Sequence, residues 1–89
     1  MAAKRSGAAP PLPVDAVLRG VLGKNLRDAR TRIGLTQQAL ADLSGISRKY
    51  IGEIERGVAN VSIDMLSVIA KHVDSSPIDL LRVSAGRVL

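Results

Sequence analysis

Along most of the chain apolar side chains recur every three or four residues, and short Gly, Ser or Asn turns interrupt them. Leu22, Leu26, Ala29 and Ile33 fall at such spacing, so they line one face of a helix predicted from about Asp15 or Leu18 to Arg32 and stopped by Gly34. Leu35 enters the core, and the Thr36 hydroxyl is placed to cap a second helix over residues 37–43 that buries Ala39 or Leu40 together with Leu43. Ser44-Gly45 ends that helix early. Ile46 then precedes Ser47, the expected cap of a third helix over 48–56, with Ile51 and Ile54 turned inward and Gly57 supplying the left-handed close. A fourth helix is expected from Ser62, carrying Ile63, Leu66, Ile69, Ala70 and Val73 on its inner face. Ser76-Pro77-Ile78-Asp79 combines a capping serine, a proline at the first helical position and a nearby acid, and Ile78, Leu81 and Leu80 are expected to pack this last element down. No segment calls for a strand, and no internal repeat is evident. The predicted fold class is all-α, a compact arrangement of five helices.

A chain of 89 residues forms one domain and buries only about 60–65% of its unfolded surface. The 46% hydrophobic content is enough for a few helices to pack around a small core. The chain contains no cysteine, which removes disulfides and thiolate zinc sites and agrees with a reducing cytosol. The N-terminus has a basic start without the apolar stretch of a secretion signal, and no run approaches the roughly 18–20 residues that cross a bilayer. A soluble, cytoplasmic protein is expected, with no membrane partner. Residues 1–14 read as a flexible arm, 15–82 as the folded domain, and 83–89 as a tail that frays or covers a partner subunit.

Formal net charge is +5, and the excess lies in the first half. Up to Leu35, Lys4, Arg5, Arg19, Lys24, Arg27, Arg30 and Arg32 face only Asp15 and Asp28. Such a surface suits phosphate binding, although it equally serves as a solubilising one.

The two short helices joined by Ser44-Gly45-Ile46-Ser47 are either a simple bundle corner or a DNA-reading unit. Once Ile51 and Ile54 are buried, the outer face of the third helix carries Ser47, Arg48, Lys49, Gly52 and Glu53, with Tyr50 at its edge. Arg48 and Lys49 occupy the first turn, which meets base edges when a helix enters the major groove, and either can donate to guanine O6 and N7. Cations there oppose the helix dipole, so a compensating interaction is expected outside the helix. Glu53 either accepts from cytosine N4 or pairs locally with Lys49. Gly52 costs about 1 kcal/mol relative to alanine, which points to close approach of DNA or of a neighbouring element. Gln37, Tyr50, Asn60 and Ser62 are candidate phosphate contacts, with half-buried packing the competing role for Tyr50. Arg30 and Glu55 are placed to form a salt bridge between the first and third helices.

The run Leu35-Thr36-Gln37-Gln38-Ala39-Leu40-Ala41, then Gly45-Ile46-Ser47, Tyr50-Ile51, Ile54-Glu55-Arg56-Gly57 and Asn60-Val61-Ser62 resembles the lambda repressor/Cro-like, or XRE, helix-turn-helix family. The likeness spans about Leu22 to Leu81 and is nearest in style to small phage-type repressors and restriction-modification controller proteins. It implies a five-helix lambda-repressor-like domain that binds double-stranded DNA at pseudo-palindromic operators as a homodimer, commonly as a repressor. By the same resemblance Arg48, Lys49 and Glu53 face bases, Gln37 contacts phosphate and can brace a recognition-helix side chain, and Arg30 pairs with Glu55. The departures are Val61 where many members carry proline, Gly52 where a larger residue is usual, and the proline-bearing arm.

One such module buries about 600–1,000 Å² on DNA, whereas two copies span half-sites about 34 Å apart. Leu80, Val83, Val88 and Leu89 are the expected dimer contact. Lys4-Arg5 could follow the phosphates, although a solubilising arm is the simpler role. The alternative function is an antitoxin-like regulator whose main partner is a protein. His72 has no acid-base partner, nucleophile or ligand cluster beside it in the pattern, so neither catalysis, a metal nor a cofactor is expected.

Overall fold

Every helix of the fold begins on a side-chain oxygen. The computed structural model describes residues 13–83, which form α1 (Ala16–Arg32), α2 (Gln37–Ser44), α3 (Arg48–Glu55), α4 (Ile63–His72) and α5 (Pro77–Leu80), with no strand among them. Asp15, Thr36, Ser47, Ser62 and Ser76 accept from the backbone N–H groups of Leu18, Ala39, Tyr50, Met65 and Asp79, each three residues further on. Such caps contribute about 1 kcal/mol each. In α2 and α3, eight residues apiece, they matter because helices this short do not hold alone.

α1 packs against α3 and α5, α2 against α3 and α4, and α4 against α5. Leu26, Leu40, Ile51, Ile54, Ile69, Val73 and Leu80 are fully enclosed where these helices meet. Each such side chain contributes about 1.5–3 kcal/mol of hydrophobic stabilisation.

Several residues assigned to the core by spacing lie outside it. Ile33 is 42% exposed because it is the C-cap of α1, where the backbone leaves helical geometry and the periodicity lapses. Leu43 is 59% exposed. The inner face of α2 is centred on Leu40 and Ala41, which turns Leu43 toward solvent. Ile63, at 83%, sits on the first residue of α4, and that helix is covered only from Met65 onward. α5 is a single turn with one inward position, and Leu80 occupies it while Ile78 and Leu81 face outward.

Two contacts were hidden from the periodicity. A Cβ on Gly23, in the middle of α1, would lie 2.5 Å from the Ile54 carbonyl oxygen and 2.8 Å from that of Glu55, so only glycine lets α1 and α3 cross this closely. On α1 as well, the Asn25 amide donates to the carbonyls of Leu80 at 2.9 Å and Arg82 at 2.8 Å, closing the end of α5. Among the described residues, no helix is long and apolar enough to cross a membrane.

Candidate nucleic-acid interface

The turn between α2 and α3 is built from three adjacent residues. Gly45 takes a left-handed conformation, φ +78°, and its N–H closes on the Ala41 carbonyl at 2.9 Å. That region disfavours side chains, so glycine sets the sharpness of the corner. The Ser44 hydroxyl donates to Leu40 O and accepts from the Ile46 N–H, and Ile46 drops its side chain into the core. Ser47 then caps α3. At the far end, Gly57 at φ +76° closes the helix, with its own N–H on Ile54 O and the Val58 N–H on Glu53 O, both 3.0 Å.

Between these closures α3 has two different faces. Ile51 and Ile54 are fully buried, and beside them the Glu55 carboxylate is enclosed by Arg30: Nε donates to Oε2 at 2.6 Å and Nη2 to Oε1 at 2.9 Å. Arg30 Nη1 also donates to Leu35 O at 2.8 Å, so one guanidinium ties α1, the α1–α2 turn and α3 together. The hydrogen bonds that Arg30 donates to Glu55, opposed by burial and helped by the carboxylate's charge, raise the Arg30 pKa, so the guanidinium stays charged. This is the salt bridge expected from the sequence.

On the opposite face, Ser47, Arg48 and Lys49 are exposed. The cap uses an acceptor lone pair of Ser47 and leaves its hydroxyl proton free to donate. Arg48 Nη1 donates to Gln37 Oε1 at 3.3 Å, and Gln37 Nε2 donates to Glu55 Oε1 at 3.0 Å, which leaves one Gln37 amide proton free. Glu53 is half-buried and forms no salt bridge with Lys49; the ion pairs among the described residues are Lys24–Asp28, Arg30–Glu55 and Arg82–Asp79.

Gly52 does not belong to the outer face. It is buried, and the atoms above it are Arg56 Nη1, 3.3 Å from where a Cβ would stand, and the Gln37 amide at 3.9 and 4.0 Å. These are movable side-chain ends, not backbone. Tyr50 packs its ring on the core and donates its hydroxyl proton to Asn60 O at 2.6 Å, fixing the turn before α4. Asn60 is exposed there, and the Ser62 hydroxyl, capping Met65, keeps its proton for an outside acceptor.

The expected dimer contact is corrected in one residue and partly unplaced. Leu80 is 1% exposed, because it fills the centre of its own domain between α1 and α4. Val83 is half-buried, and Val88 and Leu89, like Lys4 and Arg5, lie outside the described residues. Exposed Leu18, Ile63 and Leu81 gather instead around a groove of 590 Å³ whose floor includes buried Leu22 and Leu66 and half-buried Val61. His72 donates through Nδ1 to Val68 O at 2.9 Å, since a carbonyl only accepts.

A short helix anchored by one face, joined to its predecessor through a tight glycine corner and presenting two cations on its leading turn, is a helix-turn-helix unit. Residues 26–80 match the Helix-turn-helix family HTH_3, and the chain belongs to that family. Among its relatives, Control protein C.SmaI of Serratia marcescens is 38% identical over 64 residues, covering 72% of this chain and 76% of the relative. Control protein C.BamHI of Bacillus amyloliquefaciens is 37% identical over 65 residues, covering 72% of this chain and 80% of that one. The crystal structure of the restriction-modification controller protein C.AhdI from Aeromonas hydrophila matches with a TM-score of 0.66 and 42% identity, over 70% of this chain and 94% of that chain.

Proposed function

We propose that this protein is a sequence-specific double-stranded DNA-binding transcription regulator that enters the major groove with α3 and represses where its site overlaps a promoter. The observation that carries this reading is the contrast within α3: its inner face is immobilised by Ile51, Ile54 and the Arg30–Glu55 pair, while Arg48 and Lys49 stand exposed on its first turn. Cations at a helix N-terminus are unfavourable for the free helix, and a duplex supplies the counter-charge. Family membership supports the same conclusion.

In this reading Arg48, Lys49 and Glu53 read base edges with the Ser47 hydroxyl beside them. The free Gln37 amide proton, the Ser62 hydroxyl and the Asn60 side chain reach phosphates on either side. Tyr50 contributes by holding the Asn60 turn in place. The unpaired N–H groups that open α2 and α4 add two anion-binding ends. The chemistry requires no cofactor.

The protein acts as a homodimer on a pseudo-palindromic operator, because one small module gives limited affinity. Leu18, Ile63 and Leu81, exposed around one groove, supply the pairing surface that a second copy would cover. The test is selection of bound DNA from a random pool by the wild type, Arg48→Ala and Lys49→Ala. Base reading requires that each variant lose preference at particular positions while retaining salt-dependent residual binding. A uniform drop across all sequences would assign both cations to phosphate, and wild-type binding without sequence preference would refute the reading. A protein that stays monomeric at high micromolar concentration would refute the dimer.

A further inference from the structure

The groove beside α1 and α4 opens where the chain leaves the domain. Leu81 belongs to its lining, and the residue after it is fixed, because the Arg82 carbonyl accepts from the Asn25 amide at 2.8 Å. Whatever follows Val83 therefore starts at the Asn25 end of the groove. From Asn25 back to Asp15, at the other end, α1 extends about 15 Å. Residues 83–89 reach at most about 23–25 Å when extended, so they can cross the groove and still turn at Gly86. Their composition suits it. Val88 and Leu89 are apolar, as the walls are, and Arg87 precedes them. The charged groups of the groove are Asp15 and Arg19. Arg19 Nη1 is engaged at the Val58 carbonyl, 3.4 Å away. Asp15 spends Oδ1 on the Leu18 N–H and forms no ion pair among the described residues, so Oδ2 faces outward with its charge uncompensated. The stretch before Pro13 also begins beside the groove, but near that rim only Leu12 is large and apolar, set between two prolines.

We infer that residues 87–89 occupy this groove in their own chain: Val88 and Leu89 lie on Leu18, Ile63 and Leu81, Arg87 pairs with Asp15, and the tail thereby competes with a second copy for the pairing surface. The competition rests on the homodimer proposed above, whereas occupation of the groove does not. A segment tethered at the rim meets the groove at an effective concentration of about millimolar, far above that of a second copy in a micromolar solution. Two chains therefore pair only after both tails withdraw. Pairing is weak in free solution, and the tail sets how much protein must accumulate before pairs form.

Two measurements on the full chain test this. At a concentration where sedimentation finds monomers, the methyl NMR signals of Leu18, Ile63 and Leu81 shift between the wild type and the double variant Val88→Ser, Leu89→Ser, while those of exposed Leu43 on α2 do not. Arg87→Glu moves the same signals in the same direction. By sedimentation equilibrium the double variant dimerises roughly tenfold more tightly than the wild type, since a groove open about a third of the time in each of two copies enters the dissociation constant twice. Circular dichroism establishes that the variants are folded, and Arg87→Glu carries the test if the double variant is not. Groove signals that neither variant moves overturn the inference. So do groove signals that answer to Leu12→Ser instead, which would assign the groove to the N-terminal stretch. A weaker dimer in the double variant places the tails between copies and overturns occupation by the chain's own tail. Shifted signals with an unchanged dissociation constant overturn the competition. If neither the wild type nor the variants dimerise at high micromolar concentration, the homodimer fails, while the shifted signals uphold the tail in its groove.

Discussion

Gly23 and Gly52 are both glycines in the interior of a helix, and they do opposite things. Gly23 faces backbone: the carbonyls of Ile54 and Glu55 lie where its side chain would be, and carbonyls cannot step aside. Gly52 faces the ends of Arg56 and Gln37, which can. The first belongs to the α1–α3 seam, with the Arg30–Glu55 pair and the buried isoleucines. The second lies toward the side from which Gln37 and Arg48 reach outward. A helix that must be both rigid and available therefore carries its constraints on one side, and the cost of altering a residue depends on whether its neighbours are main chain or free side-chain ends.

Substitutions ordered by expected effect sharpen this contrast. Glu55→Ala leaves a buried guanidinium unpaired and should cost about 3–5 kcal/mol in chemical denaturation; a loss below about 1 kcal/mol would mean the pair holds little. Gly23→Ala forces α1 and α3 apart and should cost about 3 kcal/mol, the upper range for overpacking, with a fall in melting temperature as the readout. Gly52→Ala should instead stabilise, by up to about 1 kcal/mol of helix propensity less the displacement of Arg56. Equal destabilisation by the two alanines would abolish the distinction between the two sides of α3. Arg48→Ala and Lys49→Ala should move stability by no more than about 0.5 kcal/mol, so their DNA-binding effects can be read without a folding correction.

The sequence made the skeleton readable wherever one residue type has one physical use. The capping hydroxyls at Thr36, Ser47, Ser62 and Ser76, the glycine after α3 and the spacing of Leu26, Ile51, Ile54 and Ile69 all stand where pattern put them. Periodicity failed at helix ends and in the shortest helices, as at Ile33, Ile63, Ile78 and Leu81, because it reports which side a residue is on and not whether another element reaches far enough to cover it. For the interface, the Arg30–Glu55 pair was legible because two opposite charges fell beside inward residues. The involvement of Gln37 with Glu55 was not, since an amide near a helix start suits many partners. Gly23 had a signal, a glycine amid helical spacing, but nothing in the sequence distinguished it from Gly20, beside which there is open space.

If the protein pairs on an operator as proposed, Asn25 has a consequence for that operator. Its amide holds the carbonyls of Leu80 and Arg82, so the point where the chain departs from the domain is pinned to the same long helix that braces α3. In a pair of such domains joined near α5, no hinge intervenes between the joint and either recognition helix, and the separation of the two is a fixed length. Inserting one base pair between half-sites, about 3.4 Å and a tenth of a helical turn, would then put the second helix out of phase with its groove.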